Sequence, residues 1–319
     1  MHRNTWKNHA VVVTGGTGFI GSCVVEQLCE LGAQVTVPTR HDNHPLLDDI
    51  ENRFKERIAL VQTDLMDHAA VTKLLSRTDV VFHLAAYKKN SQVHTKKAAD
   101  VLHENLSTTL NVFRACVANH VKRVVTLSSE IVANSRLEQS HYGYWWSKKM
   151  LEVLAHAYHM QYQLPITVVR AGNTYGPRDN FDPETAQVIP AFIRRIVARE
   201  NPFFMWGDGT QKRAFVYVED LARALITIAA SPTVDEQHHI VSLYGSETIT
   251  MNELAETIMN IEHFKVPISH DTTKGNEQPS GNNESTMDTP IPALQLDAKP
   301  TPLVEGLTKT IAWYKAHHS

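Results

Sequence analysis

Tyr144 and Lys148, the ends of Tyr-Trp-Trp-Ser-Lys, are the pair in this sequence best suited to moving a proton. On a helix, a spacing of four puts both side chains on one face. A free phenol has a pKa of about 10, too high for ready exchange at neutral pH. A nearby ammonium stabilises the phenolate. Such a tyrosine passes a proton to or from a substrate oxygen. Ser128 stands just past the apolar run Arg123–Leu127. A hydroxyl at that strand end holds the substrate oxygen and steadies developing charge. Asn105 lies in a helical stretch, Ala98–Asn119, where it relays a water or braces the lysine.

A second group of residues has the chemistry to hold a dinucleotide. Thr14-Gly15-Gly16-Thr17-Gly18-Phe19-Ile20-Gly21 follows a short apolar strand and opens a helix. Its glycines permit a tight turn and close approach of a pyrophosphate, and the helix N-terminus offers free N–H groups and partial positive charge. At the end of the second strand the sequence reads Val37-Pro38-Thr39-Arg40-His41, with no carboxylate before Asp42. Arg40 pairs with a 2′-phosphate in one reading. In the other it is a solvated loop residue and Asp42 turns to the ribose. The first is preferred, so NADP(H) is favoured over NAD(H). Asp64-Leu65 after the third strand and His83-Leu84-Ala85-Ala86 at the end of the fourth fit the adenine and nicotinamide sides of the same crevice.

The elements that must position these residues alternate. Ala10–Val13, Gln34–Thr39, Ile58–Gln62, Val80–Ala85, Arg123–Leu127 and Ile166–Arg170 read as strands. Helical stretches, Ala98–Asn119 and Tyr144–Tyr162 among them, separate most of them. That order implies an α/β fold, a doubly wound parallel sheet of Rossmann type with its crevice at the carboxyl strand ends. A smaller C-terminal substrate-binding lobe begins near Gly172. The expected division is 1–171 with about 213–240 for the dinucleotide-binding domain, and 172–212 with 241–319 for the lobe. Arg213–Ala230 reads as a strand and helix returning to the main domain, Thr272–Thr286 as a polar loop, and Gly306–Tyr314 as a terminal helix.

Composition narrows the partners. A formal charge of −3 leaves no basic surplus for nucleic acid. No run reaches the roughly 18 apolar residues that a membrane span needs, and the first ten residues lack a signal-like apolar stretch. The three cysteines, Cys23, Cys29 and Cys116, are odd in number and lack metal-ligand spacing. The expectation is a cytoplasmic protein with reduced interior thiols and no metal.

Taken together, these residues resemble the extended short-chain dehydrogenase/reductases, specifically the NAD-dependent epimerase/dehydratase family. The resemblance covers nearly the whole chain. It rests on Thr14–Gly21, His83–Ala86, Ser128-Ser129, Tyr144–Lys148 with Glu152, Arg170–Pro177, Gly207-Asp208-Gly209 and Arg213–Asp220. It implies a nucleotide-sugar substrate whose diphosphate is held by Asn173 and Arg213, with Lys148 also binding the nicotinamide ribose. It also implies a homodimer. Gly176–Glu184 running into Val188-Ile189-Pro190, with Arg178 inside it, is nearest to GDP-L-fucose synthase-like nucleotide-sugar reductases. The active-site Cys of that group is Glu130 here, and its His is Gln187, which leaves Gln187 as a substrate contact without acid function. Glu130 is either a base beside a keto group or a hydrogen-bond partner for sugar hydroxyls.

The expected activity is therefore NADPH-dependent reduction of a nucleotide-linked 4-keto-6-deoxyhexose, with Ser128, Tyr144 and Lys148 as its machinery. The alternatives are an epimerase or 4,6-dehydratase with tightly bound NAD(P), and a non-catalytic dinucleotide-sensing regulator.

Overall fold

Val11, Val12 and Val13 are apolar on both faces of their strand, so they are satisfied only inside a sheet covered on both sides. All three are buried. A computed structural model describes residues 6–87, 96–134, 141–231, 239–245, 247–273 and 299–318. It divides into two units: Met1–Ala171 with Leu221–Leu243 and Met287–Lys299, and Gly172–Asp220 with Tyr244–Thr286 and Pro300–Ser319.

In the first unit, β1 (Ala10–Thr14), β2 (Gln34–Thr39), β3 (Ile58–Gln62), β4 (Val80–His83), β5 (Arg123–Ser129), β6 (Ile166–Ala171) and β10 (His239–Leu243) form one sheet. Its order is β10-β6-β5-β4-β1-β2-β3, and every pairing is parallel. The order reverses between β1 and β4, where Thr14 lies in register with His83. A parallel sheet opens a ligand crevice at such a reversal. Described helices of this unit include α1 (Phe19–Glu30), α2 (Asp48–Arg53), α3 (His68–Leu74), α4 (Ala98–Ala118) and α5 (Tyr142–Tyr162). One core cluster joins Val12, Val81 and Val124 of the sheet to Val112 and Phe113 of α4 and Leu151 and Ala155 of α5. The helix α5 ends at Gln163, whose left-handed φ of 54° terminates it. The three cysteines are buried and unbridged.

The second unit contains β7 (Asn173–Tyr175), β9 (Lys212–Tyr217) and β11 (Thr248–Thr250) in the order β11-β9-β7, and a parallel pair of β8 (Phe203–Trp206) with β12 (Ile268–Asp271). Around them lie α6 (Val188–Val197), α8 (Met251–Ile261) and α9 (Leu303–His318). Tyr175, Ile193, Phe203, Leu254 and Leu307 share its core. A capping box of Thr250 and Glu253 starts α8. The terminal helix is longer at both ends than its apolar spacing indicates.

Two expectations need correction. The strand expected at Arg213 pairs with β7 and β11, so it belongs to the small sheet and not to the main domain. Only the following helix, α7 (Val218–Ala230), crosses into the first unit, from Leu221 onward. The physical reason lies in its partners: β7 pairs with it from Asn173 to Tyr175 and β11 from Thr248 to Thr250, and Ala214 and Tyr217, on opposite faces, are both buried. The strand expected at Val80–Ala85 stops at His83: the Leu84 amide still bonds the Thr14 carbonyl of β1, and the Ala85 amide turns to the Thr14 hydroxyl instead. The polar stretch Thr272–Thr286 lies, beyond Thr273, outside the described residues.

Candidate active site

The sheet reversal sets the first part of the site. Gly15, at φ 70°, follows β1, and a Cβ there would lie 2.7 Å from the Ala85 amide nitrogen. Only glycine lets the two loops touch. Gly18 is the N-cap of α1 and no side chain caps that first turn. Its N–H groups therefore remain available to an anion, which is the donor set a pyrophosphate requires. Thr17, Phe19 and Ile20 are half-buried around it, and Gly21 is buried. These residues fit a dinucleotide.

Arg40 is exposed at the end of β2, its Nη1 3.9 Å from Glu104 Oε2 on α4. The turn that presents it is pinned by Thr39, whose hydroxyl donates to the His41 carbonyl at 2.7 Å. That leaves the Thr39 oxygen to accept from His41 N and from His44 Nε2, at 3.1 and 2.7 Å. Asp42 is exposed in the same turn. Asp64 accepts from the Met66 amide, and Leu65 O accepts from Asn111 Nδ2 at 3.0 Å. Asn111, which periodicity alone does not single out, also donates to the Met66 carbonyl at 2.9 Å and so ties α4 to the segment after β3. Leu84 and Ala85 are half-buried and Ala86 is exposed.

Tyr144 and Lys148 lie one turn apart on α5, both buried. The Lys148 ammonium is 5.8 Å from the centre of the Tyr144 ring and donates to the Leu127 carbonyl at 2.6 Å. The carbonyl anchors the cation, and the cation favours negative charge on the phenol oxygen. Ser128, at the end of β5, is buried and gives its hydroxyl hydrogen to Glu152 Oε1 at 2.8 Å. Arg170 holds the same carboxylate through Nε at 2.8 Å and Nη2 at 2.9 Å. Ser128 was expected to donate to a substrate oxygen. Here its proton goes to the stronger, charged acceptor, and its lone pairs are left to accept. Spacing signals the pair: Glu152 falls four after Lys148, and Arg170 lies in register with Ser128.

Asn105 does not bond the lysine. Its Oδ1 accepts from Tyr87 N at 2.7 Å, and its Nδ2 donates to Tyr87 O at 3.3 Å and to Ser147 Oγ at 3.2 Å. Glu130 is half-buried in the 3-10 turn Glu130–Ala133 directly after β5.

His83 is buried between Thr14 and Thr109. Burial holds its imidazole neutral down to about 3, helped by repulsion from Lys148. An unfolded imidazole protonates near 6.5, so the folded state refuses a proton that the unfolded state takes. The stability this contributes is complete above that value and is lost as pH falls toward 3. The slope approaches about 1.4 kcal/mol per pH unit. Urea denaturation of wild type and His83→Gln should therefore diverge in pH slope between about pH 6 and pH 4. Parallel slopes would mean the ring titrates normally in the fold.

In the second unit, Asn173 opens β7 in register with Phe215 of β9. Arg213 stands two residues before Phe215, so Asn173 and Arg213 share one face of the three-stranded sheet. Both are half-buried. Arg178 sits at φ 71° in the loop after Gly176. Gln187 is the exposed N-cap of α6, without a side-chain capping bond. Among the described residues no cluster of His, Cys, Asp or Glu is placed to hold a metal, and no helix is long and apolar enough to cross a membrane.

The model of the NAD dependent epimerase/dehydratase family matches residues 11–243. A dTDP-4-dehydro-6-deoxy-D-allose reductase from a Streptomyces species is 30% identical over 99% of both chains. GDP-L-fucose synthase 1 of Arabidopsis thaliana is 26% identical over 97% of this chain and 94% of its own. The solved UDP-N-acetylglucosamine 4-epimerase of Methanobrevibacter ruminantium M1, in complex with UDP-N-acetylmuramic acid, superposes with a TM-score of 0.82. It is 28% identical and covers 97% of this chain and 99% of that one.

Proposed function

The chain belongs to the NAD dependent epimerase/dehydratase family and is an NAD(P)-dependent enzyme; from that premise we propose that it is a nucleotide-sugar 4-ketoreductase acting on a 4-keto-6-deoxyhexose with NADPH. The observation that carries the proposal is the buried Tyr144–Lys148 pair beside the end of β5. Whole-length similarity to a reductase of a dTDP-linked 4-keto-6-deoxy sugar supports the substrate class.

When bound, NADPH supplies the hydride that reduces C4. The chain's own residues do the rest. The glycine loop and the uncapped first turn of α1 hold the pyrophosphate. Tyr144 gives its phenolic proton to the carbonyl oxygen as the alcohol forms. Lys148 stabilises the phenolate left behind, which then takes a proton from solvent. Ser128, with its hydrogen on Glu152, accepts from a sugar hydroxyl. Asn173 and Arg213 hold diphosphate oxygens from their shared sheet face, with Arg178 and Gln187 as further substrate contacts. Arg40 exchanges its long contact with Glu104 for the 2′-phosphate. The same proposal includes a homodimer, supported by Val153 and Met160, exposed and seven residues apart on α5.

A second reading, an epimerase or dehydratase that regenerates its own cofactor, is favoured by Glu130, half-buried directly after β5. Loss of reduced-nicotinamide absorbance, with NADPH and then NADH, over dTDP-, GDP- and UDP-linked 4-keto-6-deoxy sugars separates the two. The expected result is oxidation of NADPH by one of them. In Arg40→Ala, NADPH affinity should fall about tenfold with NADH unmoved, the effect of one lost charged contact. No oxidation with any sugar, together with cofactor that survives dialysis, would establish the second reading instead.

A further inference from the structure

Hydrogen bonds at His83 fix which group donates at every step of a buried chain. Ser147 Oγ gives its hydrogen to the Tyr144 carbonyl at 2.8 Å, so it accepts from Asn105 Nδ2. Thr109 gives its hydrogen to the Asn105 carbonyl at 2.7 Å, so it accepts from His83 Nε2 at 3.2 Å. The ring is then the Nε2–H tautomer, and its Nδ1 accepts from the Thr14 hydroxyl at 2.9 Å. The Thr14 oxygen accepts in turn from Ala85 N at 3.3 Å. Every polar atom of His83, Thr109 and Asn105 has a use in this chain.

The two ends of the chain matter most. Thr14 is the residue before Gly15, and the Tyr144 carbonyl belongs to the first turn of α5. Along the way Asn105 clasps both backbone atoms of Tyr87, so the segment after β4 is tied at His83 and at Tyr87. Resting on the reading of Tyr144 and Lys148 as the proton-transfer pair, we propose that His83 is a positioning residue that couples the glycine loop to the catalytic helix. Dinucleotide binding at the loop then sets the placement of Tyr144. A ring that only filled space would give no such coupling.

The test uses His83→Phe, which keeps a ring and removes both hydrogen bonds, and His83→Gln, which restores one donor and one acceptor. The readouts are NADPH affinity, hydrogen exchange of peptides covering Gly15–Gly21 and Tyr144–Lys148 with and without NADPH, and the split between kcat and sugar KM. In the wild type NADPH should slow exchange in both peptides. In His83→Phe the expected result is protection of the glycine loop alone. NADPH affinity should be weaker by about tenfold, the equivalent of one to two lost hydrogen bonds. Turnover should fall with KM unmoved, and His83→Gln should recover part of each. Wild-type affinity and wild-type protection of Tyr144–Lys148 in His83→Phe would overturn the coupling. Should that variant fail to fold, Thr109→Val removes one link only, and an undiminished response of the Tyr144 peptide there overturns it equally. Full turnover of Tyr144→Phe would instead refute the catalytic reading, while the exchange result, which needs no turnover, would still stand.

Discussion

Tyr144→Phe should lower turnover by about 10²- to 10⁴-fold, the range for losing a positioned general acid, while NADPH affinity stays near that of the wild type. The ring remains, so the packing that keeps Tyr144 buried is nearly unchanged. Only the hydroxyl is lost. The Lys148 ammonium also keeps its bond to the Leu127 carbonyl, which does not depend on the phenol. Sugar KM should move little, because the proton is handed over only as the alcohol forms. The measurements are fluorescence titration with NADPH and steady-state oxidation of NADPH with the active sugar. Near-normal turnover in the variant would remove Tyr144 from the mechanism. A Lys148→Met variant sharpens the comparison. On the proposed reading, in which Lys148 also holds the nicotinamide ribose, it should lose both turnover and some dinucleotide affinity.

The fold was legible because its signal is local. Six of the seven strands of the main sheet are short runs such as Ala10–Val13 or Ile166–Arg170; the seventh, β10, was not expected, and its residues 241–243 fall in the stretch assigned to the lobe although they pair with β6. Parallel pairing follows from the helices in between. The contact between Gly15 and Ala85 at the sheet reversal was legible to the extent that both loops are small-residue loops. The sheet that takes the strand Lys212–Tyr217 was not legible, because an isolated strand and helix look alike whichever sheet accepts them. Only its partners, β7 and β11, settle that.

The site was legible as residue types and not as proton directions. Tyr144 and Lys148 declare themselves by spacing on one helix. Ser128 and Glu152 are separated by 24 residues, and Thr14 and His83 by 69. Which atom donates in such pairs depends on what else each atom touches, and no periodicity carries that information. Asn105 shows the consequence. Its position suggested a brace for the lysine, yet its amide is fully used by Tyr87 and Ser147.

Arg170→Met should destabilise the protein by about 3–5 kcal/mol, the cost of leaving one member of a buried ion pair without the other. The Glu152 side chain is 3% exposed and that of Arg170 7%, so water cannot replace the lost partner. Ser128 still donates to the carboxylate, and Lys149, whose Nζ is 4.0 Å away on the solvent side, offers weak relief. Adding Glu152→Leu to Arg170→Met removes both charges, and such paired replacements are often neutral or stabilising by about 1–4 kcal/mol. Stability should therefore return in the double variant. Turnover should not, because Ser128 has lost the acceptor that fixes its hydroxyl. Urea denaturation reads the first quantity, and NADPH oxidation with the active sugar reads the second. Recovery of both would mean that the pair serves the fold alone. Recovery of stability with turnover still depressed separates the two roles: the ion pair contributes little net stability, and its function is to hold one hydroxyl proton away from the substrate.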